Sequence, residues 1–365
     1  SVLWAMFSNM APFSLRASLY SFILTVTVIW IHAVDPGFAA GLADQTGDVF
    51  TAVERLLGSG LGQLAVPGFF CMSGYLFFRN MPEELRTISA DNGKFLLLFF
   101  GNKLRKRVSS LLVPYLIWNG IYYLIYIAAG RASFGMTEAV RSILFYRYNP
   151  VFWYLYELVL ITIITPFIYM LISDRRLALP VLSAIFFAAC CYDRLPFHYV
   201  NEDALFYYMT GSFLALHFKN CENNRDKIKR MGAVCFFIFV ICEECIANSN
   251  YFIAIAATVG GRITGLLALF AIVNVAVPVN VKLPGFTGYN FMVYALHYLE
   301  IRAVRVIADG ILHAASGMSL SESPVLSACL YILMPFICIM ITVPIGELMK
   351  RLSPKLYMLM TGGRN

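Results

Sequence analysis

Apolar residues along the chain gather into ten runs, most of them near the roughly 17 to 25 residues that a membrane-crossing helix needs. They cover about 17–34, 61–78, 108–130, 151–173, 177–192, 204–218, 231–247, 263–281, 285–301 and 324–346. Polar and basic residues collect between them. The first run carries no charged side chain from Ala17 to Val34, and eighteen residues at ~1.5 Å rise reach about 27 Å, close to the hydrocarbon thickness of a bilayer. The eighth run is preceded by an apolar stretch from Tyr251 that Gly260-Gly261-Arg262 interrupts. The longest connection, 79–107, leaves no room for a soluble catalytic domain. The pattern predicts an all-α, polytopic integral membrane protein of about ten transmembrane helices, with residues 1–365 forming one membrane-embedded domain.

Composition agrees with that pattern. The 365 residues are 59% hydrophobic and 13% charged with a mean hydropathy of +0.71, whereas charged residues make up roughly 25% of a soluble globular domain. Basic residues stay on the cytoplasmic side of a membrane, and about 20 of the 28 Lys and Arg fall on one side if the N-terminus is inside. Both termini are therefore expected in the cytoplasm. The nine cysteines are scattered, and one Cys242-x-x-Cys245 pair without further ligands reads as packing rather than as a metal site. No basic region or cleavage site of a secretory leader is read from Ser1, which leaves open that the natural chain begins upstream.

Two local patterns modify the picture. Between the first two runs, Val49, Phe50, Val53, Leu56 and Leu57 make one apolar stripe, predicting a helix that lies on the outer surface. Pro67, Pro114, Pro166 and Pro335 fall inside runs, where they kink helices and free carbonyls.

Titratable residues inside the runs are the candidates for chemistry, because an ionisable group in lipid is costly. On a helical wheel Ser18, Ser21, Thr25 and His32 fall within roughly 60° of one another, with Arg16 nearly opposite. His32 lies near the outer end of run one, Glu157 in the outer part of run four, and His297 in the outer half of run nine beside Tyr294. Imidazole titrates near neutrality, which suits a general base. Asp35, three residues on from His32, is placed to accept a ring proton and fix the tautomer. On the opposite side Lys103, Arg105, Lys106 and Arg107 form a basic cluster of the kind that anchors helices to anionic headgroups, or that binds a cofactor with several phosphates.

The phrases IHA, FFCMSGYLFF, KRVSSLLVPYLIWN, FWYLYEL with a later TP, and YNFMVYALH occur in this order between residues 16 and 300. In order and spacing they resemble the acyltransferase 3 family of integral membrane acyltransferases. The resemblance implies transfer of an acyl group, commonly acetyl from acetyl-CoA, to a hydroxyl of a surface or exported carbohydrate, in the cytoplasmic membrane of a bacterium. It matches His32 to the family's essential histidine, Arg107 with Lys103, Arg105 and Lys106 to its donor-binding entry, and His297 to its later histidine. Members carry a basic residue eleven positions before the histidine, where this chain has Ser21. Ser110 replaces the second of two paired arginines, and Trp153-Tyr154-Leu155-Tyr156 replaces a Trp-Phe-Leu-Arg type phrase.

The resulting expectation assigns His32 and Asp35 to catalysis, Trp153, Glu157, Tyr294 and His297 to the acceptor, and the basic cluster to acetyl-CoA, with no metal. A carbohydrate or lipid-linked saccharide and membrane lipid are the expected partners, nucleic acid is not, and a homo-oligomer or partner enzyme is left open. The rival reading is a proton-coupled carrier or flippase using His32, Glu157 and His297, which would leave CoA untouched.

Overall fold

The computed structural model describes residues 12–34, 49–85, 93–190, 202–219, 224–277 and 281–363. Among the described residues the chain is all-helical. The elements are α1 (Phe13–His32), α2 (Val49–Glu54), α3 (Ala65–Phe78), α4 (Gly93–Ala128), α5 (Met136–Leu144), α6 (Trp153–Ile163), α7 (Thr165–Ile172), α8 (Arg175–Cys190), α9 (Glu202–His217), α10 (Arg225–Asn248), α11 (Tyr251–Ala276), α12 (Asn290–Ser316), α13 (Pro324–Leu352) and α14 (Pro354–Thr361). Among the described residues, five helices are long and apolar enough to cross a bilayer, or six if the bent pair α6–α7 counts as one. Outward-facing positions are apolar, such as Phe236, Phe237, Val240 and Ile241 on α10. Lipid tolerates such a surface because its tails are as apolar as the side chains.

Several helices run past the apolar segments that announce them. Helix α4 begins at Gly93, so Lys103 to Arg107 lie inside a continuous helix of 36 residues rather than in a connection. Helix α11 passes through Gly260-Gly261-Arg262 without a break, and Arg262 pairs with Asp203 of α9 at 3.3 Å. Helix α12 continues from the ninth run to Ser316. Pro114 and Pro335 are accommodated within α4 and α13. At Pro166, in the first turn of α7, the chain bends by 63° from α6.

The chain packs as two compact units, each assembled from separate segments. The first comprises residues up to Tyr20, Val66–Leu112 and Trp153–Leu283, and the second comprises Ser21–Ala65, Val113–Phe152 and Pro284 onward. In the first unit α3 and α9 cross at two glycines. A Cβ on Gly211 would sit 1.8 Å from the Cys71 carbonyl oxygen, and one on Gly74 would sit 2.1 Å from that of Tyr208. Backbones approach this closely only where side chains are absent. A cavity of about 130 Å³ beside this crossing is lined by apolar residues including Phe13, Tyr20, Cys71, Leu266 and Phe270.

The second unit packs Ile29 of α1 and Ala33 just beyond it, Val293 and Ile301 of α12, and Tyr331, Met334 and Cys338 of α13 into one core. The stripe expected to lie on the outer surface is corrected here. Phe50, Val53 and Leu57 pack onto that core, with the Phe50 ring 5.6 Å from Tyr331, while Leu56 stays 65% exposed. The stripe finds protein rather than lipid because α13 offers it an aromatic face.

Candidate active site

In the second unit α1 ends at His32, and its last turn is closed from both sides. The Ala33 amide donates to the Ile29 carbonyl at 2.8 Å, and Arg305 of α12 donates to the Ala33 carbonyl at 3.5 Å. A cation at a helix C-terminus is electrostatically favourable. The imidazole is thereby held against α12, with its ring centroid 5.4 Å from that of His297 and planes tilted by 43°. Tyr298 meets His32 edge to face at 6.3 Å.

The two imidazoles have different surroundings. His32 is half-buried, whereas His297 is fully buried. The His297 Nδ1 lies 2.6 Å from the Tyr294 carbonyl oxygen. A carbonyl oxygen only accepts, so Nδ1 carries the proton and Nε2 is left with a lone pair. Among the described residues that nitrogen has no hydrogen-bond partner. Its helix is pinned where the ring emerges: the Tyr294 hydroxyl donates to the Val151 carbonyl at 2.7 Å, its ring stacks on Phe152 at 5.5 Å, and Tyr122 donates to the Ala295 carbonyl at 2.8 Å.

One turn beyond His297 stands Glu300, which sequence reasoning passed over. It is buried, its Oε1 accepts from Thr342 at 2.7 Å, and its Oε2 has no partner among the described residues. The signal was present in HYLE, where an acid three residues after the histidine shares its helix face. Also passed over was the group around Arg302, which donates to the hydroxyls of Tyr126 and Tyr298. Nearby, the Tyr148 hydroxyl donates to Glu138 at 2.6 Å, and that bond holds its proton more firmly than in an ordinary tyrosine.

Of the expected site residues, the structure brings together His32, His297 and Tyr294. Asp35 lies outside the described residues. Ser21, where the resemblance expects a basic residue, accepts from Asn290 of α12 at 2.9 Å, so its place is filled by an uncharged bond. Glu157 and Trp153 belong to the first unit, half-buried on α6, with the Trp153 ring 6.2 Å from Phe70.

The basic cluster is divided by its helix. Lys103 and Arg107, one turn apart, are half-buried, while Arg105 and Lys106 are exposed. The Lys103 ammonium donates to the Phe77 carbonyl and sits over the Phe77 and Phe99 rings. It is therefore committed to the scaffold.

Long apolar helices with apolar outward faces are those of an integral membrane protein, and the imidazoles of His32 on α1 and His297 on α12 meet. The family model described as "Acyltransferase domain" matches residues 22–343, and the chain belongs to the acyltransferase 3 family. It is 23% identical over 388 residues to the succinoglycan biosynthesis protein ExoH of Rhizobium meliloti (strain 1021), across 97% of this chain and 93% of that protein. No solved structure matches it.

Proposed function

We propose that this membrane acyltransferase moves an acetyl group from acetyl-CoA to a hydroxyl of a surface or exported carbohydrate, with His32 as general base. The observation that carries the reading is the His32–His297 pair, in which one ring is tautomerically fixed and buried and the other is half-open. A carbohydrate acceptor is supported by the relative's role in succinoglycan biosynthesis, as its name states. The charge distribution along the sequence supports about ten spans in the cytoplasmic membrane of a bacterium, with both termini inside.

Acetyl-CoA would supply an acyl carbonyl activated as a thioester. Arg105, Lys106 and Arg107 fit its phosphates by charge and availability, since guanidinium and ammonium groups donate to phosphate oxygens. His32 takes the proton of the acceptor hydroxyl and returns it to the leaving sulfur. His297, with its Nε2 lone pair, stands beside His32 to share that proton while the acyl group moves. Tyr294 positions His297 through its carbonyl, and Glu300 is a buried carboxylate one turn away that favours a transient positive charge on the pair. Trp153 and Glu157 are assigned to the acceptor, and Asp35 to the orientation of His32.

The test is His32→Ala in membranes supplied with labelled acetyl-CoA. A positioned base contributes about 10²- to 10⁴-fold, so label transfer and release of free CoA should fall by that factor while the variant remains inserted and folded. Undiminished transfer by the variant removes the assignment.

A further inference from the structure

The residues around Arg302 have a feature that the transfer chemistry does not use. Arg302 is exposed, yet its guanidinium is fixed: one nitrogen donates to the Tyr126 hydroxyl at 2.6 Å, the other to the Tyr298 hydroxyl at 2.5 Å, and the group lies 4.4 Å from the Tyr298 ring centroid. Both partners are neutral phenols, and among the described residues the guanidinium meets no carboxylate. The acid in this neighbourhood is already engaged, because Glu138 pairs with Arg147 at 3.2 Å and accepts from Tyr148. A positive charge is therefore presented with its side chain ordered in advance and three of its five donors unspent.

We propose that Arg302, held by Tyr126 and Tyr298, recognises a carboxylate on the saccharide acceptor. This rests on the reading of His32 as the place where the acceptor hydroxyl reacts. Tyr298 links the two positions, since its ring touches His32 at 6.3 Å on one side and Arg302 on the other. The guanidinium fork matches a planar carboxylate through two parallel hydrogen bonds, which an ammonium cannot reproduce. Beside it the Tyr126 and Tyr148 rings, 4.6 Å apart, supply flat faces with polar edges for a sugar ring. The enzyme then selects an acidic saccharide, with the acid group anchored at Arg302 and a hydroxyl delivered to His32.

The experiment measures binding. The full chain in phosphatidylcholine nanodiscs is titrated calorimetrically with trigalacturonate and with its methyl ester. The acid should bind about tenfold tighter or more, Arg302→Gln should bring the ratio to about one, and Arg302→Lys should restore part of it. Tyr126→Phe, which keeps the charge but frees one nitrogen, should reduce the ratio by about threefold. Equal binding of acid and ester by the natural protein, or a preference that survives Arg302→Gln, overturns the proposal. So does loss of the preference in nanodiscs containing phosphatidylglycerol, which would place a lipid phosphate on Arg302. Failure of the transferase reading is separately visible, as unchanged CoA release in His32→Ala.

Discussion

Arg16 and His297 are both buried to within 1% of complete and carry different chemistry, a guanidinium that stays charged and an imidazole that can exchange a proton. In the first unit Arg16 donates to the Asn274 amide, Arg262 pairs with Asp203, Arg225 donates to the Val275 carbonyl at 3.2 Å, and Lys103 donates to the Phe77 carbonyl. In the second unit the His297 Nε2, the Glu300 Oε2 and both side-chain polar atoms of the fully buried Asn149 have no partner among the described residues. Leaving a buried polar atom unsatisfied costs about 1–3 kcal/mol. Both units hold buried polar atoms with no partner among the described residues; those of the second unit include an imidazole nitrogen and a carboxylate oxygen, groups that can exchange a proton.

That contrast can be tested by substitution. The largest effect should come from the scaffold: Gly211→Leu drives a side chain into the Cys71 carbonyl, and no folded protein should elute on size-exclusion in mild detergent. Next, Asn274→Leu removes the Arg16 amide partner and should lower stability by about 2 kcal/mol, seen as a lower melting temperature. In the second unit Thr342→Val withdraws the hydroxyl from Glu300 and should cost about 1 kcal/mol. The smallest and most telling change is Glu300→Leu. Thr342 can turn its hydroxyl to its own helix, so stability should stay within about 1 kcal/mol of the natural protein while acyl transfer falls. If Glu300→Leu destabilises as much as Asn274→Leu, Glu300 belongs to the scaffold rather than to the chemistry.

Much of this was legible in the sequence, because lipid imposes a simple rule on apolar runs. Each of the ten runs overlaps a helix or a bent pair, although five or six of these among the described residues are long and apolar enough to cross a bilayer, and of the three titratable groups expected in one outer layer His32 and His297 meet. What hydropathy does not report is backbone continuity. It reads which solvent a segment prefers, so Lys103 to Arg107 looked like the edge of a helix although hydrogen bonding carries α4 through them. It also closed the ninth run at Ile301, one residue short of Arg302. Arg302 therefore fell outside it, and its two phenols, one of them 176 positions away, could not be connected to it. Glu300 was hidden differently: a single acid in an apolar run declares a cost but not the partner that offsets it. Arg16, facing away from His32 on the wheel, found its amide 258 residues on.

One dimension of α4 sets a condition on the surrounding bilayer. At 1.5 Å per residue its 36 residues reach about 54 Å, against a hydrocarbon slab of about 30 Å. No tilt within the usual range of 0–40° hides that excess, so part of the rod projects beyond the acyl chains. In its N-terminal portion Phe95, Leu97 and Leu98 are exposed and the cations follow two turns later. Membrane thickness then sets how far those cations stand from the headgroups, so lipid composition tunes their setting without any change in the protein.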